Sequence, residues 1–410
     1  MRRLKSFRTT LSACYTGYVC QAVVNNFAPL LFLTFQSQFG IPLVQVTLLI
    51  TVNFGMQLFI DLVSAKLIDK IGYRTAGVAA HTFIAAGLVL LGVLPSAMDN
   101  AFAGLLIAVI VYSIGGGMIE VMLSPLVESC PTTNKSATMS LLHSFYCWGS
   151  VAVIGMSTLF FHFLGTEFWN KLAFIWAVVP ALNAVYFLFV PINPISEETR
   201  SSRFGELFRS GMFWALVVMM FCAGAGELAV AQWASTFAES GLGVSKTLGD
   251  LIGPCLFAVM MGAVRLVYAG GAHKVKLTNV MLFSAALCAV SYLIITLSPV
   301  PELSLAGCAL CGISVAMMWP GTFSIAAKNL PKGGTAMFAL LALAGDLGCT
   351  AGPTLVGAVS DALGDDLQKG ILAAVIFPLI MLAAVFVCKR AEKKNALSDG
   401  LAENIKEYTE

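Results

Sequence analysis

Twelve stretches of this chain are each apolar over about 20 residues, the length a helix needs to cross the hydrocarbon core of a bilayer. They fall near 11–35, 44–68, 76–94, 101–128, 138–163 and 172–191, then near 211–237, 249–270, 278–297, 303–327, 335–360 and 370–388. Gly, Pro or charge bounds each one. No other feature constrains the fold as strongly. Hydrocarbon offers backbone N–H and C=O groups no partner, so a spanning run of this kind must be a helix. The expected fold is an all-α membrane protein with twelve transmembrane helices. Composition agrees: 58% of the residues are hydrophobic and 11% charged, against about a quarter charged in soluble domains.

Charge sets the expected orientation, because Lys and Arg accumulate on the cytoplasmic side. With the N-terminus inside, 20 of the 24 Lys and Arg residues fall in inner segments. Lys171, Lys246 and Lys369 fall outside, and Arg265 lies within a span. Both termini are therefore expected in the cytoplasm. The basic start followed by an apolar run is reminiscent of a signal peptide. That run continues past residue 30 without a small-residue cleavage site, which makes it a retained first span. The longest inner loop, 193–210, divides the chain into an N-terminal six-helix bundle (1–192) and a C-terminal one (211–388), with a cytoplasmic tail at 389–410. The halves echo each other: ATMSLLHSFYCWG (137–149) aligns with AMFALLALAGDLG (336–348), and the Thr-Phe pair at 34–35 aligns with that at 236–237. Repeated bundles place a substrate site at their interface near mid-membrane.

The loop between spans 2 and 3 reads SAKLIDKIGYRTAG (64–77). It resembles the gate loop of the major facilitator superfamily, with Ala65, Leu67, Asp69, Lys70, Gly72 and Arg74 matching and Ile68 and Tyr73 departing. The resemblance implies gating roles for Asp69, Gly72 and Arg74. Within that superfamily the chain is similar to the fucose permease-like sugar:proton symporters. AVVNNFAPLLF, GGGMIEVMLSP, LLHSFYCWG and GAGELAVAQWASTF, in spans 1, 4, 5 and 7, carry this similarity. Glu120 and Pro125 match the span 4 pattern, with Ser124 in place of its Asn; Gly226, Glu227 and Trp233 match span 7. The permease carries a proton-linked Asp just after the paired Asn of span 1. Here that region reads Asn25-Asn26-Phe27-Ala28-Pro29, with no acid, so coupling would have to run elsewhere.

An ionised acid at the centre of a span costs about 2.5–3.5 kcal/mol on insertion scales, so such residues pair, hold a proton or face a cavity. Asp61, Glu120, Glu227 and Asp346 are of this kind, joined by His143 and Arg265. The resemblance places spans 4 and 7 along the cavity. Glu120, His143 and Asp346 are assigned to proton coupling, with a core histidine as the equal alternative for His143. Asp61 and Arg265 lie on the equivalent spans 2 and 8 near the inner loops and are read as gating partners. Gln21 and Asn25 share one helix face, being four apart, as do Gln57 and Asp61. Amide, carboxylate and aromatic groups suit a hydroxyl-rich solute. Gln21, Asn25, Asn26, Gln57, Glu227, Gln232, Trp233 and Trp319 are therefore the expected substrate-binding set.

The function these readings imply is secondary active transport of a small polar organic solute, a sugar or sugar-like compound, imported with protons by alternating access. The alternative is a proton-coupled exporter of amphipathic drugs or metabolites. Such exporters usually carry an Arg in span 4, where this chain has none. No His-Glu-x-x-His, Gly-x-Ser-x-Gly or nucleotide-binding loop is present, so neither an enzyme nor an ATP-driven pump is expected. The eleven cysteines lack metal-ligand spacing. Neither a cofactor nor a metal is expected. The partners are the solute, protons and the lipid of a cytoplasmic membrane, with no nucleic acid, for a monomeric protein.

Overall fold

The computed structural model describes residues 6–131, 135–192, 207–271, 276–330 and 334–407. Twelve helices among them are long and apolar enough to cross a membrane. They are α1 (Phe7–Phe39), α2 (Leu43–Ser64), α3 (Tyr73–Ala97), α4 (Ala101–Ser124), α5 (Leu141–Leu164) and α6 (Thr166–Phe187), then α7 (Gly211–Gly241), α8 (Lys246–Tyr268), α9 (Leu277–Leu297), α10 (Pro301–Asn329), α11 (Leu340–Ala362) and α12 (Leu367–Ala391). These coincide with the twelve apolar runs of the sequence to within a few residues. The helix of α12 continues to Glu407, through most of the stretch read as a polar tail. The linker read at 193–210 lies outside the described residues except for 207–210. Since each span reverses direction, the start of α1 and the end of α12 share one face, called here the terminus face.

Two glycines decide how α4 packs. A Cβ on Gly115 would sit 2.3 Å from the carbonyl oxygen of Ala80 in α3, and one on Gly117 would sit 2.8 Å from that of Gln57 in α2. Only a hydrogen fits at either site, so α4 lies directly against two neighbouring backbones, the packing that small residues permit in membranes. On α3, His81 is fully buried. Its ring meets Gly77 O at 2.7 Å and the Nδ2 of Asn183 at 2.8 Å, and Asn183 also donates to Ala13 O at 3.0 Å. This histidine ties α1, α3 and α6 together.

Proline shapes the helices that meet at the centre. It lacks an N–H and clashes with the carbonyl four residues earlier, so that carbonyl loses its helical partner. Pro29 interrupts α1, which passes through a 3-10 turn at Ala28–Leu31, and it frees the carbonyl of Asn25. Gln232 of α7 donates to that oxygen at 3.0 Å. Pro320 frees the carbonyl of Ala316 where α10 breaks, and Arg265 of α8 donates to it through Nε at 3.1 Å.

Across the middle of the molecule α2 faces α11 and α5 faces α8. On the face away from the termini the two halves are bonded together. The hydroxyls of Thr51 and Thr354 are 2.6 Å apart, and Lys246 Nζ donates to Leu30 O at 2.6 Å. Thr158 donates to Asp250 at 3.2 Å. Lys246, placed in an outer loop by the charge count, is instead the first residue of α8, part-buried and ion-paired to Glu239 at 3.3 Å and Asp250 at 3.2 Å. Ser235 also donates to Asp250, whose side chain is fully buried.

Candidate functional site

A cavity of about 130 Å³ lies between the halves. Its walls come from α1, α2, α4 and α5 in the first half and from α7, α8, α10 and α11 in the second. The first half supplies a hydrogen-bonded ladder. Gln21 Nε2 donates to Gln57 Oε1 at 2.6 Å, Gln57 Nε2 to Asn25 Oδ1 at 3.0 Å, and Asn25 Nδ2 to the Tyr146 hydroxyl at 3.4 Å. Behind it Asn53 donates to Asn25 at 3.3 Å and accepts from Ser113 at 2.7 Å. Buried amides need such partners, and here each fixes the next. One atom is left over: the buried Oε1 of Gln21 has no donor.

Carboxylates cluster beside the ladder. Oxygen atoms of Asp61, Glu120 and Asp346 lie within 4.8 Å of one another. Glu120 receives one long hydrogen bond, from Gln21 at 3.4 Å, and the two buried oxygens of Asp61 receive none. At this spacing two ionised acids repel by roughly 3 kcal/mol at an effective dielectric of about 20. The trio therefore holds fewer than three negative charges unless a cation sits among them. An all-oxygen set of this kind matches the ligand preference of a hard cation. His143 lines the cavity, is exposed, and meets the Tyr18 ring edge-on with centroids 5.3 Å apart.

The second half contributes isolated charges. Arg265 is held at Nε by Ala316 O and at Nη1 by Cys147 Sγ, both at 3.1 Å. Glu227 lines the same cavity. Among the described residues neither forms an ion pair within 4.0 Å. The Trp319 indole faces the cavity and fits because position 345 is glycine, whose Cβ would lie 2.2 Å from the ring.

Of the expected substrate-binding residues, the cavity brings together Gln21, Asn25, Gln57, Glu227 and Trp319. Three others stand apart. Asn26 donates to Ala22 O and Ser150. Gln232 lies beside the main cavity and binds the Asn25 carbonyl. Trp233 is fully buried, donating to Pro353 O at 3.0 Å and packing on Phe32. Glu120, His143 and Asp346 line the cavity. Of the expected gating residues, Asp61 adjoins Glu120 and Asp346, whereas Arg265 lines the cavity itself. Arg74 donates to the carbonyls of Phe187, Leu188 and Val190 at 2.6–2.9 Å, capping the end of α6 where a cation is favoured. Gly72 takes the left-handed φ of +80° between α2 and α3. The side chain of Asp69 lies outside the described residues. Sequence reasoning passed over Asn53, Tyr18 and Tyr146. The helical spacing Asn53–Gln57–Asp61 would have exposed the first.

A profile of the Major Facilitator Superfamily matches residues 14–353 and 272–405. The chain belongs to that superfamily. This superfamily member is a multi-pass membrane transporter, not an enzyme. Its fold is that of the Escherichia coli fucose:proton symporter FucP, at 16% identity with a TM-score of 0.65, covering 94% of this chain and 99% of that one. It is also that of a bacterial homologue of the human lysosomal transporter Spinster, at 15% identity and a TM-score of 0.73, covering 94% and 98%. The nucleoside transporter NupG matches at 11% identity with a TM-score of 0.74, covering 93% and 99%. No curated protein matches in sequence. The superfamily read from the 64–77 loop is thus borne out, with a fucose:proton symporter among the similar folds.

Proposed function

We propose that this transporter imports a small polar organic solute, sugar or sugar-like, together with protons, by alternating access in a cytoplasmic membrane with both termini inside. The observation that carries the reading is the central cavity, whose polar walls come from corresponding spans of both halves. A site so placed changes its access when one bundle rocks against the other. The bonds that join the halves on the face away from the termini, and the exposed His143 toward the other, support a conformation open to the inside. The bundles 1–192 and 211–388 are the moving bodies.

The cavity's volume supports a small solute over an amphipathic drug, since drug-sized ligands occupy about 300–1,000 Å³. Proton coupling rests on Glu120. A carboxylate crowded by Asp61 and Asp346 is stabilised by a proton and recovers its charge when the cluster opens to water. Such an acid couples solute movement to pH, and coupling of this kind is worth about 5–150-fold in affinity. In proteoliposomes, Glu120→Gln is expected to abolish pH-driven accumulation while leaving solute exchange within about threefold of wild type. Loss of both, or retention of both, overturns the assignment. Accumulation driven by a sodium gradient at constant pH identifies the trio as a cation site instead. Transport confined to amphipathic cations restores the exporter alternative.

A further inference from the structure

The ladder and the carboxylate trio leave one cavity group unexplained. Arg265 is the only Lys or Arg among the described residues lining the cavity. Three elements aim it. Its own helix, α8, brings it to the wall. The Ala316 carbonyl released by Pro320 holds Nε, and Cys147 of the other half holds Nη1. No described carboxylate lies within 4.0 Å, although Glu227 shares the cavity. A guanidinium has N–H donors on three nitrogens. These contacts use Nε and one side of Nη1, which leaves Nη2 and the second Nη1 hydrogen as an open fork. Such a fork matches the two oxygens of a carboxylate and binds them through paired, charge-assisted hydrogen bonds. A neutral sugar hydroxyl fills only half of it.

The other open groups are acceptors: Gln21 Oε1, which has no donor, and the Glu227 carboxylate. They call for hydroxyl hydrogens. Trp319 offers an apolar face for the C–H side of a ring. We infer that the solute is a hydroxylated carboxylic acid of the sugar-acid type, its carboxylate gripped by Arg265 and its hydroxyls donating to Gln21 and Glu227. The inference rests on the transporter reading above and narrows it. It also gives the proton a purpose: an anion that enters with one proton brings no net charge into a low-dielectric cavity, so the loaded carrier reorients without moving charge. Under this inference Arg265 is a binding residue rather than a gate partner.

Glucuronate and glucose form the discriminating pair, since they differ only in carboxylate versus hydroxymethyl at one carbon. The purified full chain in proteoliposomes is expected to exchange labelled glucuronate at least about tenfold faster than glucose. Arg265→Gln is expected to erase that preference, and Arg265→Lys to keep part of it. Thermal stabilisation of the unaltered protein by glucuronate but not by glucose checks the same point without a variant that must fold. Equal exchange of the two sugars, or a preference that survives Arg265→Gln, overturns the inference and leaves the polar-solute reading standing. So does exchange of serine, a zwitterion, in place of glucuronate. Exchange of hydrophobic cations with none of these probes overturns both.

Discussion

Among the described residues two groups of charges are buried, and they are treated in opposite ways. On the face away from the termini, Lys246 has two carboxylate partners and a backbone oxygen, and Asp250 has Lys246, Ser235 and Thr158. In the central cavity Arg265 and Glu227 share a wall without pairing, and beside it no group outside the carboxylate trio donates to Asp61. Burying an ion is tolerated when partners replace its water. The first group meets that condition from within the protein and reads as a closure between the halves. The central group does not, and under the function proposed above its missing partners are the cargo and the proton. Unpaired charge therefore marks where traffic passes, and paired charge marks where the wall is.

The largest effect should come from the paired group. Asp250→Asn leaves Lys246 one counter-ion short in a part-buried setting, and removing one member of a buried pair costs about 3–5 kcal/mol. A lower unfolding temperature is expected, together with faster labelling of a cysteine placed at Thr354 by a reagent added to the non-terminus face. If neither changes, the cluster is no closure.

Glu227→Gln tests the unpaired group from the other side. It removes a charge with no protein partner, so no loss of thermal stability is expected. Solute binding should nonetheless weaken by about tenfold, roughly 1.4 kcal/mol, because an acceptor facing the solute is replaced. A drop in stability like that of Asp250→Asn would erase the distinction between the two groups.

The smallest effect is at Pro320. Alanine there restores an N–H that competes for the Ala316 carbonyl and releases Nε of Arg265. One such hydrogen bond contributes about 0.5–1.5 kcal/mol net. Pro320→Ala should thus weaken solute binding severalfold in a thermal-shift titration, with the exchange mechanism intact. Unchanged affinity would mean that Cys147 alone holds the guanidinium in place.

Much of this was legible in the sequence because a membrane span is written in length and apolarity, and few other structures are. The twelve spans needed nothing further. Faces were harder. Helices such as α4 and α7 are apolar all round, so periodicity does not say which side meets a neighbour and which meets lipid. Only polar residues mark a face, and the four-residue spacing of Gln21 with Asn25 did so correctly for the cavity. Trp233 shows where that logic fails. It lies on a cavity helix, but α7 tightens at Trp233, whose N–H bonds three residues back to Val230 O, and the indole packs on Phe32 and donates to Pro353 O. Height along the helix placed Arg265 near the inner loops but not on the cavity wall, since nothing in the local sequence reveals that Pro320, 55 positions later, frees the Ala316 oxygen that aims it.

The carbonyl released by Pro29 has a consequence for wear. Any contact between bundles that rock must be undone and remade in every cycle, and if it borrowed an oxygen already engaged in a helix, each opening would fray that helix. Asn25 O belongs to no turn. When Gln232 lets go, water can take the vacant oxygen at little cost, and α1 keeps its shape. For halves that rock as proposed, the proline gives a fastening that opens without damaging what it fastens.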